Sequence, residues 1–173
     1  LKRVRHHLCQ YDQDTNVIIC AGGEGVQRIR EYQRQFNRSE AECHHNSLTV
    51  MDCHTRKLCE QLGWPVLDSW ESLTSYLSQD RPPSHPTGFL VTEFAMRHDQ
   101  HLPLTKLPSN WSATSDSIAA RLASLFKARL HLLKSAAAPG THLTQLANQG
   151  YVDHHFPIAA ANISSLTFVD LSH

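Results

Sequence analysis

The sequence lacks an excess of charge of either sign, and it lacks long apolar runs. Lys and Arg together number 16, as do Asp and Glu, and no segment concentrates the basic residues. Proteins that bind nucleic acid through its phosphates carry a basic patch, so this balance predicts no nucleic-acid partner. A membrane-spanning helix needs about 18 or more consecutive apolar residues. No such run occurs, and no secretory signal opens the chain, so we expect no membrane partner.

The number and spacing of the cysteines match no paired framework. The five cysteines are an odd number and none forms a Cys-x-x-Cys pair, which disfavours a disulfide scaffold or a zinc knuckle. Reduced thiols in a cytoplasmic protein fit better. The 173 residues, 40% of them hydrophobic, suit one globular domain spanning 1–173. The chain begins with Leu1 in a stretch typical of the middle of an element, so we expect a segment upstream of it.

Strand-like and helix-like segments alternate along the chain. β-Branched apolar runs predict strands at 16–20, 66–67, 88–94, 129–134 and 165–171. Helical spacing and capping residues predict helices at 26–36, 39–62, 68–77, 114–126 and 141–148. Three prolines predict a loop at 81–86, and residues 97–110 are polar enough for a long, functional loop. The alternation predicts an α/β fold, a three-layer α/β/α sandwich around a mainly parallel sheet.

A glycine-containing turn follows the first predicted strand. Gly22, Gly23 and Glu24 lie where the strand ends and a helix begins, so backbone N–H groups there are able to meet an anion. Ligands of open α/β sheets bind at the carboxyl ends of strands. A tight turn without any ligand explains the same residues, and both interpretations stay open.

Two further segments carry polar residues at element ends. Thr114 to Ser117 provide four capping-type residues, more than one helix needs, so Ser115 and Asp116 are candidates for function as well as for capping. Lys134 and Ser135 end an apolar strand, where the ammonium group either meets an anion or extends to solvent from the sheet edge.

Histidine is abundant, with 13 residues, several of them in adjacent pairs. His98 and His101 flank Asp99 in a pattern that superficially suggests a metal site. Their spacing matches no closed metal centre and no cysteine lies nearby. We therefore interpret the histidines as surface residues and predict no metal ligand. A histidine-rich metal-binding protein is the weakest of the alternatives.

Three stretches together resemble the amino acid kinase superfamily, which has the carbamate-kinase-like fold. They are residues 17–24, residues 109–120 with the block Thr-Ser-Asp-Ser-Ile-Ala-Ala, and residues 130–135 followed by 150–153. The chain is most similar to the branch of aspartokinase- and uridylate-kinase-like proteins that includes the aminomethylfuran-phosphate kinases. Two departures are evident. Ala21 stands where that branch has its first loop glycine, and the strand ending in Lys-x-Gly-Gly-Ser that opens the family is absent from this chain.

The resemblance implies phosphoryl transfer from ATP, with Mg²⁺, to a small-molecule acceptor in a homo-oligomeric protein. Asp116 matches the aspartate that orients catalytic lysines. The residues implied at the substrate or transferred phosphate are Gly22, Gly23, Glu24 and Ser115, and those implied at the nucleotide are Lys134, Ser135 and Asp153. The alternative is a catalytically inactive relative that binds a nucleotide or anion, or that serves as an interaction or dimerisation module.

Overall fold

The chain has a mixed α/β structure that divides into two compact units, Leu1–His98 and Asp99–His173. The computed structural model describes residues 2–11, 14–80 and 85–172. Of the proline loop predicted at 81–86, residues 81–84 lie outside the described residues. Every strand pairing among the described residues is parallel, as the alternation of strands and helices predicts.

The described residues of the first unit include five α-helices and a small sheet. Its helices are α1 (Lys2–Leu8), α2 (Gly23–Phe36), α3 (Glu40–Leu62), α4 (Trp70–Leu77) and α5 (Val91–Glu93). Its strands are β1 (Val17–Ile18), β2 (Val66–Leu67) and β3 (Thr87–Phe89), in the spatial order β1-β3-β2. Both pairs are in parallel register, with Val17 opposite Thr87 and Val66 opposite Gly88.

Helix α3 is the longest element, and its ends are those the sequence predicts. The Ser39 hydroxyl accepts a hydrogen bond from the Glu42 N–H at 3.1 Å, and Gly63 ends the helix with φ +68°, a left-handed conformation that favours glycine. One face of the helix is buried. A Cβ at Gly88 would lie 2.5 Å from Cys59 Sγ, so only glycine lets β3 approach α3 this closely.

The prediction of a strand at 88–94 is wrong beyond Phe89, because β3 ends there and helix α5 begins at Val91. The Asp52 carboxylate on α3 accepts hydrogen bonds from the N–H groups of Val91, at 2.7 Å, and Thr92, at 3.3 Å. A carboxylate at these N–H groups stabilises the start of a helical turn. A π-helix, Phe94–His98, follows directly.

The second unit packs three helices against a parallel pair of strands. They are α6 (Ser115–Phe126), β4 (Leu130–Lys134), α7 (Leu143–Asn148), α8 (Phe156–Ala159) and β5 (Leu166–Asp170). The two strands pair in register along their length. Alanines of α6 and α8 meet larger apolar side chains in the core. The buried members are Ala120, Ala123, Leu130, Leu132, Leu146, Ala147, Val152, Phe156, Ala159 and Ala160.

A buried ion pair organises the long loop that precedes α6. The Arg121 guanidinium donates from Nε to Asp99 Oδ1 at 2.7 Å and from a terminal nitrogen to the Pro103 carbonyl at 2.6 Å. The second oxygen of Asp99 accepts from the Leu107 N–H at 2.7 Å. Since Arg121 and Asp99 are 1% and 0% exposed, their charges are matched within the protein rather than by water.

Candidate functional site

Asp116 and Lys134 form a close ion pair in the second unit. Asp116 lies in the first turn of α6 and Lys134 is the last residue of β4. The lysine Nζ lies 2.9 Å from Asp116 Oδ1 and 2.7 Å from Oδ2, and it donates to the Tyr151 carbonyl at 2.9 Å. The ammonium group is thus held by one carboxylate and one carbonyl group of the chain itself. The sequence alone left Lys134 open between an anion and solvent, and the structure provides a carboxylate.

The ion pair is largely withdrawn from water. The side chains of Lys134 and Asp116 are 21% and 13% exposed. Burial raises the pKa of Asp116 above its ordinary value, the Lys134 ammonium opposes that shift, and the charge of Asp153 adds to it. The three side chains carry one net negative charge when all are ionised. The cluster therefore does not attract a phosphate by its own charge.

Asp153 binds the start of α6 rather than facing solvent. One of its oxygens accepts from the Thr114 N–H at 2.8 Å, the Thr114 hydroxyl at 2.9 Å and the Ser117 N–H at 3.0 Å. The other accepts from the Ser117 hydroxyl and, at 3.0 Å, from the Phe156 N–H, where α8 begins. The sequence predicts Thr114 to Ser117 as the capping residues. The observed cap is a carboxylate almost 40 positions later, which no local pattern indicates.

The remaining predicted residues divide between the two units. Ser115 is half-buried in the first turn of α6, and Ser135 is exposed directly after β4. Gly22, Gly23 and Glu24 belong to the first unit, at the start of α2. The structure thus brings Asp116, Lys134 and Asp153 together within one unit.

The glycine turn has one residue constrained by packing and one open to its surroundings. Gly22 is the N-cap of α2, and no side chain caps that helix. A Cβ at Gly22 would lie 1.9 Å from Val26 Cγ2, so packing alone requires a glycine there. Gly23 has φ +50°, and a Cβ on this residue would meet no neighbouring group within 4 Å. Open N–H groups at the start of a 14-residue helix fit an anion, and the tight turn without a ligand fits the same geometry.

The carboxylates of this site do not fit Mg²⁺ as ligands. Both oxygens of Asp116 accept from the Lys134 ammonium, and both oxygens of Asp153 accept from N–H and O–H donors. A Mg²⁺ ion would have to displace these donors, so neither carboxylate fits as its ligand. A different group in the first unit has metal-binding residue types. Ligand atoms of Glu71, Glu93 and His98 all lie within 4.8 Å of one another.

No protein-family model matches the sequence, and no curated protein matches it. Among the described residues, none of the helices has the length and apolar character that crossing a membrane requires.

Proposed function

We propose that the protein is an ATP-dependent phosphotransferase that acts on a small metabolite. The proposal includes the three-layer α/β/α sandwich of the amino acid kinase type, which the resemblance in sequence implies. In such a transfer the protein positions its reactants and balances charge, and it forms few covalent bonds itself.

The observation that carries the proposal is the ion pair between Asp116 and Lys134. The resemblance implies that Asp116 orients lysines. In the structure the ammonium group of Lys134, from a different element, lies within hydrogen-bond distance of both Asp116 oxygens. Asp153 supports the site indirectly, because it fixes the first turn of α6 on which Asp116 lies.

The second candidate is a relative that binds a nucleotide or anion without transferring phosphate. The same ion pair also supports this candidate, since the Lys134 ammonium is already held by the Asp116 carboxylate and the Tyr151 carbonyl of the chain itself. A lysine held in this way stabilises the fold whether or not a phosphate binds nearby. The first candidate function predicts turnover of ATP with an acceptor, and the second predicts binding without turnover.

The test measures ADP release from MgATP in the presence of a panel of small amines, alcohols, carboxylic acids and phosphate monoesters. Asp116→Asn keeps the shape of the side chain and removes its charge, so we expect turnover to fall about a hundredfold. Lys134→Met should lower it at least as much. Lys127→Met is the matched control, because Lys127 is exposed at the end of α6 and should leave turnover unchanged.

Calorimetric binding of MgADP and thermal melting accompany each assay, so that a loss of folding is distinguished from a loss of chemistry. Equal turnover in the wild type and Asp116→Asn would contradict the role of this residue. Binding of MgADP without ADP release for any acceptor would favour the non-catalytic candidate. If the protein shows no binding of MgADP and no turnover, both candidate functions are refuted.

A further inference from the structure

We propose that Glu71, Glu93 and His98 form a binding site for a divalent transition-metal ion of the Zn²⁺ class. Glu71 lies in the first turn of α4, Glu93 ends α5, and His98 ends the π-helix that follows. Short π-helical segments frequently occur at functional sites. The proposal concerns the first unit and does not depend on phosphoryl transfer.

The separation of the ligand atoms suits a shared metal ion better than a direct hydrogen bond between Glu93 and His98. His98 Nε2 lies 3.4 Å from Glu93 Oε1, beyond the usual N–H···O range of about 2.7–3.2 Å. Two ligands of a tetrahedral ion with bonds of about 2.0–2.1 Å lie about 3.3 Å apart. The Glu71 carboxylate is within 4.8 Å of both, and its exposed side chain is free to close the remaining distance.

Neighbouring groups fix the orientation of two of the ligands. Glu93 Oε2 accepts a hydrogen bond from the backbone N–H of Trp70 at 2.8 Å. The other oxygen, Oε1, is therefore the one that lies toward His98. The His98 ring stacks on the Trp70 indole, with 5.9 Å between the ring centroids. The same indole stacks on the Phe94 ring, with 5.3 Å between the centroids. Supporting contacts of this kind hold metal ligands in place and raise affinity for the ion.

The donor set determines which ions fit. One imidazole nitrogen with two carboxylates suits Zn²⁺, and related transition metals that accept nitrogen, better than Mg²⁺ or Ca²⁺, which prefer oxygen alone. Three protein ligands leave a fourth position for water or for a small anion. Because Glu71 is exposed, that position is accessible to solvent.

The test titrates ZnCl₂ into the intact, chelator-treated protein by calorimetry. We expect one site per chain, weakened at least about tenfold by His98→Gln and by Glu71→Gln. The matched control is His101→Gln, an exposed histidine three positions from His98, which should leave this site unchanged. It also guards against non-specific binding by the 13 histidines. Because Glu71 is exposed, its variant tests the site without endangering the fold.

A second measurement follows the indole beside the site. Paramagnetic Co²⁺ should quench the fluorescence of Trp70, and both Trp70→Phe and His98→Gln should remove that quenching. Unchanged Zn²⁺ affinity in both His98→Gln and Glu71→Gln would overturn the proposal and leave a simple Glu93–His98 contact. An equal loss in His101→Gln would overturn it as well, since binding would then be non-specific.

Discussion

Replacing Asp153 by Ala should destabilise the second unit strongly, because one carboxylate serves the starts of two helices. Loss of a helix N-cap costs about 1–2 kcal/mol. The Ser117 side chain is 0% exposed, so its hydroxyl cannot turn to water, and a buried unsatisfied polar group costs about 1–3 kcal/mol. We expect a loss of about 2–5 kcal/mol in the free energy of unfolding. Asp153→Asn, which keeps one acceptor oxygen, should lose about half as much.

Urea unfolding followed by tryptophan fluorescence measures this loss. Trp111 is the only tryptophan of the second unit, so a background with Trp64→Phe and Trp70→Phe reports on that unit alone. Asp170→Ala is the matched control, since Asp170 is exposed on β5 and its carboxylate accepts from the Ser172 N–H. A loss below about 1 kcal/mol in Asp153→Ala would refute the reasoning. If Asp153→Asn instead abolished nucleotide binding at unchanged stability, the nucleotide role predicted from the sequence would be supported.

Two further predictions concern buried groups. Arg121→Met leaves the Asp99 carboxylate buried without its cation, so we expect a loss of about 3–5 kcal/mol in unfolding free energy, measured in the same urea experiment. An unchanged urea midpoint would contradict this. Iodoacetamide should modify the exposed Cys53 rapidly and the buried Cys59 only on unfolding. Because burial raises the pKa of the Cys59 thiol, we expect less reactive thiolate there than at an exposed cysteine, and peptide mass spectrometry at pH 7 and pH 9 checks the contrast.

Elements whose causes are local could be predicted from the sequence. Ser39 and Gly63 mark the two ends of α3, and the structure has both in the expected capping conformations. The apolar run ending at Lys134 gives β4 within one residue of its predicted start. In each case the residues that decide the structure lie within a few positions of the element that they start or end.

Elements decided by distant residues could not be predicted in this way. The run from 88 to 94 is apolar and β-branched enough for a strand, yet Asp52 on another helix turns its second half into α5. The site shows the same limit. Sequence reasoning identified Asp116, Lys134 and Asp153 but could not pair them. It also did not single out Glu71 and Glu93, because their proximity to His98 depends on how three separate elements pack.

The parallel pairing of β4 with β5 has a consequence for synthesis. Leu130 pairs with Leu166, and the segment between them, which contains α7 and α8, must be made before the second strand exists. At about 5–20 residues per second, β4 waits roughly 2–7 s on the ribosome for its partner. Throughout that interval β4 has no partner strand, so the apolar side chains that it buries in the second unit cannot reach their folded contacts.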